Sequence, residues 1–170
     1  GAWKKVLIAN VLYELMSAFL QSTQPSVLFT WLYAVACALQ IYFDFSGYSD
    51  MAVGLGQIFG FHFPENFRYP FLSGSVTEFW RRWHISLGSW FRDYVYIPLG
   101  GSRCSRSRWL LNVFLVWGLT GLWHGAAWNF VLWGLFFAVL LAAEKLWYGH
   151  GLEKTRLLKH LYMLPLLAVS

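Results

Sequence analysis

Between Arg108 and Glu144 the chain runs for 35 residues, Trp109 to Ala143, without a charged side chain, and His124 is the only ionisable group among them. As one straight helix at 1.5 Å per residue such a run would measure about 52 Å, against a bilayer hydrocarbon core of about 30 Å. It must therefore bend or turn back on itself. Gly121 and Gly125 flank Leu122-Trp123-His124, and glycine both weakens a helix and lets two helices approach closely, so the turn is expected there. The result is a hairpin whose first arm, about 15 residues, reaches about 22 Å. His124 then stands at its tip inside the membrane, near the far side. Ionisable groups at such depth are costly and mark sites, and an imidazole titrating near neutrality is a natural proton-transfer group. His124 is read as the catalytic base.

Composition agrees with a membrane solvent. The chain is 58% hydrophobic and 21% aromatic with only 12% charged residues, where soluble domains carry about 25% charge. Leu15 to Phe43 is a second uncharged run. The fold class is therefore all-α, a polytopic helical membrane protein with re-entrant and interfacial helices. The chain opens at Gly1 without Met and closes at Ser170 in an apolar stretch, Leu161 to Val169, too short to span. Residues 1–170 are thus expected to be a single partial membrane domain lacking N- and C-terminal parts. No signal peptide is expected, because the run after Lys4 and Lys5 is interrupted by Asn10 and Glu14 without a small-residue cleavage site. Cys37 and Cys104 have neither metal spacing nor a plausible mutual pairing and are expected to be free thiols.

The net charge of +5 is unevenly placed. Arg81, Arg82, Arg92, Arg103, Arg106 and Arg108 crowd one polar stretch, and Lys145, Lys154, Arg156 and Lys159 the next. Such excesses mark cytoplasmic loops, so residues 76–108 and 145–159 are assigned to the cytoplasmic side. Nucleic-acid binding would need these charges on a soluble folded face, and it is set aside.

Val27 to Phe43 reads as a clean span ending in Asp44-Phe45-Ser46-Gly47-Tyr48-Ser49-Asp50. Two readings stand for that cluster: a solvated helix end with a turn at Gly47, or a substrate or partner contact through Asp44 and Tyr48. Residues 51–63 are apolar but too short to span, which suggests a re-entrant or interfacial segment. Gly54, Gly56 and Gly60 fail the dinucleotide fingerprint in spacing and context, and helix packing is the expected use of them. His62 has no partner in sequence and is given a structural role.

Thr77 to Asp93 has a helical pattern with two faces. Trp80, Trp83, His84, Leu87 and Phe91 recur at offsets 0, 3, 4, 7 and 11, and Arg82, Ser86, Ser89 and Asp93 at 0, 4, 7 and 11. A single interfacial helix is expected, tryptophans at headgroup depth and arginines toward phosphate. Glu78 with Arg81 or Arg82 makes a surface ion pair. Pro98-Leu99-Gly100-Gly101 ends the element. Taken alone, His84 on the apolar face is more simply structural than catalytic.

Read together, these segments carry a resemblance. Gln40-Ile41-Tyr42-Phe43-Asp44-Phe45-Ser46-Gly47-Tyr48-Ser49-Asp50-Met51, Phe63-Pro64-Glu65-Asn66-Phe67, Phe79-Trp80-Arg81-Arg82-Trp83-His84-Ile85-Ser86-Leu87, Trp90-Phe91-Arg92-Asp93-Tyr94 through Ile97-Pro98-Leu99-Gly100-Gly101, and Gly121-Leu122-Trp123-His124-Gly125 resemble the membrane-bound O-acyltransferase family. The likeness is to the branch acting in alginate O-acetylation and D-alanine transfer to teichoic acids, in order over residues 1 to 146. It implies a multi-span protein of the bacterial inner membrane, longer than this chain, whose helices surround a funnel or tunnel. It implies that His124 is catalytic and that His84, the family's second histidine, is functional too. It further implies transfer from a cytoplasmic acyl thioester, acetyl-coenzyme A or an acyl carrier, toward hydroxyls of an extracytoplasmic polysaccharide. It implies too that periplasmic acyltransferase partners complete the transfer and that membrane lipid surrounds the protein, and no bound cofactor or metal is expected.

The chemistry of the residues is compatible. Acyl transfer to a hydroxyl needs a base, and a positioned one contributes about 10² to 10⁴ in rate. Asn129 either orients His124 or donates to the oxyanion, or packs a helix. Trp123 borders the histidine. Arg81, Arg82 and Arg92 suit the phosphates of the donor, because guanidinium matches phosphate in a bidentate manner, and lipid phosphate suits them equally. A histidine with Asp five positions on, as in soluble-faced glycerolipid acyltransferases, is absent, since Ser89, Asn129 and Phe67 occupy those places. The serine-hydrolase elbow also fails, because Gly47-Tyr48-Ser49 is followed by Asp50 and Met51. A transporter or channel using His124 for proton coupling is the competing class, disfavoured by the lack of an internal repeat. Acetyl to an exopolysaccharide such as alginate is preferred, with D-alanyl transfer to teichoic acid as the alternative.

Overall fold

A computed structural model describes residues 1–22, 26–148 and 162–163. All regular structure among the described residues is helical. Contacts divide the described residues into two compact units, one within residues 1–67 and one formed by residues 68–148 with 162–163.

In the first unit a π-helical segment, Lys4–Ala9, leads into α1 (Asn10–Leu20), and α2 (Val27–Ile58) follows. Ser26 starts α2 by accepting the Phe29 amide at 3.2 Å, the usual way a hydroxyl satisfies a first-turn donor. α2 then continues for 32 residues, about 48 Å at helical rise. The expected helix end and turn at Gly47 are therefore not there, and residues 51–58 are its last turns rather than a separate re-entrant segment. The physical reason lies across the unit. Lys4 pairs with Asp50 at 2.7 Å and Lys5 pairs with Asp44, so the carboxylates are neutralised within the helix. A Cβ on Gly47 would come within 3.3 Å of Lys4 Cβ, so this glycine serves close packing. Of the other three glycines only Gly56 is crowded, by the Phe63 ring of the following loop. Among the described residues nothing lies within 4 Å of a Cβ on Gly54, and Gly60 ends the helix with φ +79°. Among the described residues, then, none of these three glycines meets a neighbouring helix, and Gly60 is required by the turn. His62 stands exposed in that loop.

In the second unit α3 (Val76–Arg82) and α4 (Ile85–Phe91) precede a π-helical turn, Arg92–Tyr96, and the long pair α5 (Arg106–His124) and α6 (Trp128–Ala143), the latter prolonged by a π-helical turn Glu144–Tyr148. α5 and α6 form the hairpin expected from the uncharged run. The break falls at Gly125–Ala127, and α5 begins one turn earlier than the apolar run does. Gly121 lies inside α5 as a contact point: its Cβ would be 2.3 Å from the Phe130 carbonyl oxygen, and one on Gly134 would be 2.2 Å from that of Trp117. The arms touch backbone to backbone, the use small residues have in membrane helix pairs. Around this seam Trp109, Val113, Ala138 and Ala142 are buried together, with Tyr96, Cys104 and Trp117 against them. Cys37 and Cys104 are free thiols.

The segment Thr77 to Asp93 differs from the expected single helix. It is two short helices, not one, broken at Trp83 and His84. Both tryptophans of the apolar stripe touch Phe79, at 5.2 and 5.5 Å, but beyond it they diverge: Trp80 meets Trp117, Trp133 and Phe137 at 4.8, 5.7 and 4.9 Å between ring centroids, whereas Trp83 neighbours Phe71. One straight helix would send them the same way. The expected close at Pro98–Gly101 is present, with Gly100 and Gly101 at φ +106° and +55°.

By length and composition α2 and the helical stretch Trp128–Trp147 are apolar enough to cross a membrane. Val27, Leu28, Trp31 and Leu32 stand exposed at the start of α2, as suits a surface that meets lipid or further helices. Of the second cationic cluster only Lys145 is described. Lys154, Arg156, Lys159 and the stretch Leu161 to Val169, apart from Tyr162 and Met163, lie outside the described residues.

Candidate active site

His124 is the last residue of α5. Gly125 follows in extended backbone, where a Cβ would lie 2.5 Å from the Phe130 ring, and this places the imidazole at the hairpin tip. Its ring meets Trp133 edge-on at 5.1 Å and Trp123 at 5.0 Å. His84 comes from the break between α3 and α4, in the left-handed region at φ 47°, ψ 53°. Histidine is among the few side chains that tolerate that region, at some cost in strain. The break is held from both sides. The Arg68 amide donates to the Arg82 carbonyl at 2.9 Å, and the Gly88 amide to the His84 carbonyl at 3.1 Å. The His84 ring lies edge-on to Trp123 at 6.0 Å, with the Ser86 hydroxyl 3.4 Å from Nδ1.

Both imidazoles line one cavity of about 730 Å³. Trp80, Trp117 and Thr120 form part of its wall, and Arg81, Arg92 and Lys145 supply cations. His84 titrates below the ordinary histidine range, because partial burial disfavours its cation and a charged His124 would repel it. A neutral imidazole at a cavity wall can accept a proton from a bound hydroxyl. The apolar lining would strengthen any polar contact made there.

The remaining residues singled out in the sequence are distributed. Trp123 is 58% exposed and bridges the two histidines. Arg81 and Arg92 reach the cavity, Arg92 while paired with Asp93 at 2.7 Å. Arg82 is tied to Glu78 at 2.5 Å. Asn129 sits exposed in the first turn of α6 and does not line the cavity. Asp44 and Tyr48 belong to the first unit, on α2, where they line a shallow pocket of about 480 Å³ with Lys5, Gln40 and Met51. Thr120, Tyr96 and Lys145 were not evident in the sequence as lining residues. Thr120, one helical turn before His124, had a signal in its i, i+4 spacing, whereas the other two are brought in by tertiary packing alone.

A profile describing the membrane-bound O-acyltransferase family matches residues 3–167. The chain belongs to that family. It is 51% identical over 145 residues to a probable alginate O-acetylase of Pseudomonas aeruginosa, covering 85% of this chain and 28% of that protein. It is 40% identical over 155 residues to a peptidoglycan O-acetyltransferase of Helicobacter pylori, covering 91% and 29%. To a teichoic acid D-alanyltransferase of Bacillus subtilis it is 39% identical over 127 residues, covering 70% and 32%. This membrane-bound O-acyltransferase chain thus spans under a third of the length of these relatives. The resemblance read from its motifs, including the alginate and D-alanine branch, is borne out.

Proposed function

We propose that this chain carries the histidine-bearing part of an acyltransferase that moves an acyl group, acetyl by preference, from a cytoplasmic thioester toward hydroxyls of an extracytoplasmic polysaccharide. The observation that supports this reading most is that His84 and His124, far apart in sequence, line one cavity. The names of two relatives, a probable alginate O-acetylase and a peptidoglycan O-acetyltransferase, favour acetyl. The Bacillus subtilis relative keeps D-alanyl transfer as the second reading.

In the proposed step the acceptor hydroxyl oxygen attacks the thioester carbonyl carbon while its proton passes to neutral His124. The C–S bond then breaks, the sulfur recovers the proton, and an ester and a free thiol result. No acyl-enzyme is required. His84 serves as the second polar group at the reacting centre, with Trp123 holding the two imidazoles apart. Arg81 and Arg92 meet the phosphates of acetyl-coenzyme A or a carrier's prosthetic arm, as guanidinium suits. Asp44 and Tyr48 are proposed to contact the acceptor or a partner, and Asn129 to act near His124. The complete protein is proposed to be a multi-pass protein of the bacterial inner membrane that works with periplasmic partners.

The test is acetyl content of the surface polysaccharide in a null strain complemented with the full-length parent. His124→Ala at matched membrane expression is expected to abolish O-acetylation. Unchanged acetylation would remove His124 from the role of base, and unchanged acetylation with altered D-alanine esters would shift the reading to the second acyl group.

A further inference from the structure

We infer that Glu144 is a positioning residue: from the base of the hairpin its carboxylate fixes the start of α3 and so sets where His84 stands relative to His124. The inference rests on the acyl-transfer reading above. Glu144 follows α6 directly and is 6% exposed. Its Oε2 accepts the Val76 amide at 2.8 Å and its Oε1 the Thr77 amide at 3.2 Å. First-turn amides of a helix have no partner within the helix, and bonds from N–H to a carboxylate are among the stronger ones. The third such amide, of Glu78, donates to Ser75 Oγ at 3.1 Å. Ser75 orders α3 locally, whereas Glu144 joins it to the hairpin that carries His124.

α3 leaves little slack after that anchor. It is seven residues long. Trp80, one turn on, is seated among Trp117, Trp133 and Phe137 of the hairpin. His84 follows two residues past the helix end, in the left-handed conformation. Thr77, Trp80, Arg81 and His84 all face the cavity, and Glu144 does not. Its influence on the reaction therefore passes through α3.

The experiment uses membranes of a null strain complemented with the full-length parent, titrated with radiolabelled acetyl-coenzyme A. Glu144→Gln keeps the volume but turns an amide NH₂ toward one of the two donors. It is expected to lower kcat per protein by tenfold or more, with the KM for donor within twofold of wild type. Glu144→Asp, which keeps the charge on a shorter arm, is expected to fall between. Ser75→Ala loosens the same helix end without touching the hairpin and is expected to hold kcat within twofold. Wild-type kcat in Glu144→Gln, or an equal loss in Ser75→Ala, overturns the inference. Should Glu144→Gln fail to accumulate, Glu144→Asp carries the comparison, and wild-type kcat there overturns it. His124→Ala is run in parallel. An inactive wild type or an active His124→Ala overturns the acyl-transfer reading itself, whereas an inactive His124→Ala beside a fully active Glu144→Gln overturns only the role of Glu144.

Discussion

The His84 imidazole meets the Trp123 indole edge-on, ring centroids 6.0 Å apart, across the joint between the α3–α4 break and the tip of the hairpin. That contact covers one edge of the His84 ring, which is itself half-buried. The pKa of His84 is depressed below the ordinary 6.5, by burial first and by its neighbour His124 second. A depressed histidine contributes stability above its unfolded pKa and loses it as pH falls through the folded value. Activity that needs neutral His84 should therefore persist below pH 6.5 before it fails. Trp123→Ala is expected to move the acid limb of the pH–rate profile upward, toward 6.5. An unmoved limb in the full-length parent would show that Trp123 does not shield His84.

Backbone contact between the hairpin arms makes a second prediction. A Cβ at Gly134 would lie 2.2 Å from the Trp117 carbonyl oxygen, while one at Gly54 would meet nothing within 4 Å among the described residues. Gly134→Ala must push the arms apart and is expected to cost about 1–3 kcal/mol. Gly54→Ala, inside α2, is expected to gain about 0.5–1 kcal/mol from helix propensity. Thermal unfolding of the detergent-solubilised parent compares the two, and similar melting temperatures would refute the seam.

Asn112 is buried to 1% exposure and donates to the carbonyls of Leu99 at 3.0 Å and Gly101 at 3.5 Å. It holds the Pro98–Gly101 turn on α5. Asn112→Ala leaves those carbonyls without this donor and is expected to cost about 1–3 kcal/mol. Limited proteolysis within residues 98–105 should accelerate accordingly.

The two adjacent arginines should behave differently. Arg81 lines the cavity, and Arg82 is committed to Glu78. Arg81→Ala is expected to raise the KM for an acyl-coenzyme A donor, whereas Arg82→Ala should leave it alone and cost less than about 1 kcal/mol of stability. Equal effects on KM would sink the assignment of Arg81 to the donor.

How much of this was legible depended on how local each cause was. The hairpin and the placement of His124 at its tip followed from the length of an uncharged run and two glycines within it. The continuity of α2 did not, because Asp44 and Asp50 look like a helix end until Lys4 and Lys5, some forty positions earlier, are seen to neutralise them. The break at His84 was hidden for a related reason. Offsets of 3 and 4 fit a single helix equally well whether Trp80 and Trp83 pack on the same neighbours or on different ones. Glu144 read only as the end of an apolar stretch, since its partners Val76 and Thr77 are backbone amides with no signature in the sequence.

The contact of Gly121 and Gly134 with the opposite arm also has a mechanical meaning. Two helices joined that closely move as one lever. With an arm of 19 residues, about 28 Å long, a tilt of about 2° at the base displaces the tip by about 1 Å. A misplacement of about 1 Å, even from a change far from the chemistry, can cost about a hundredfold in rate. The reach that carries His124 to its station thus magnifies every small error made at the other end.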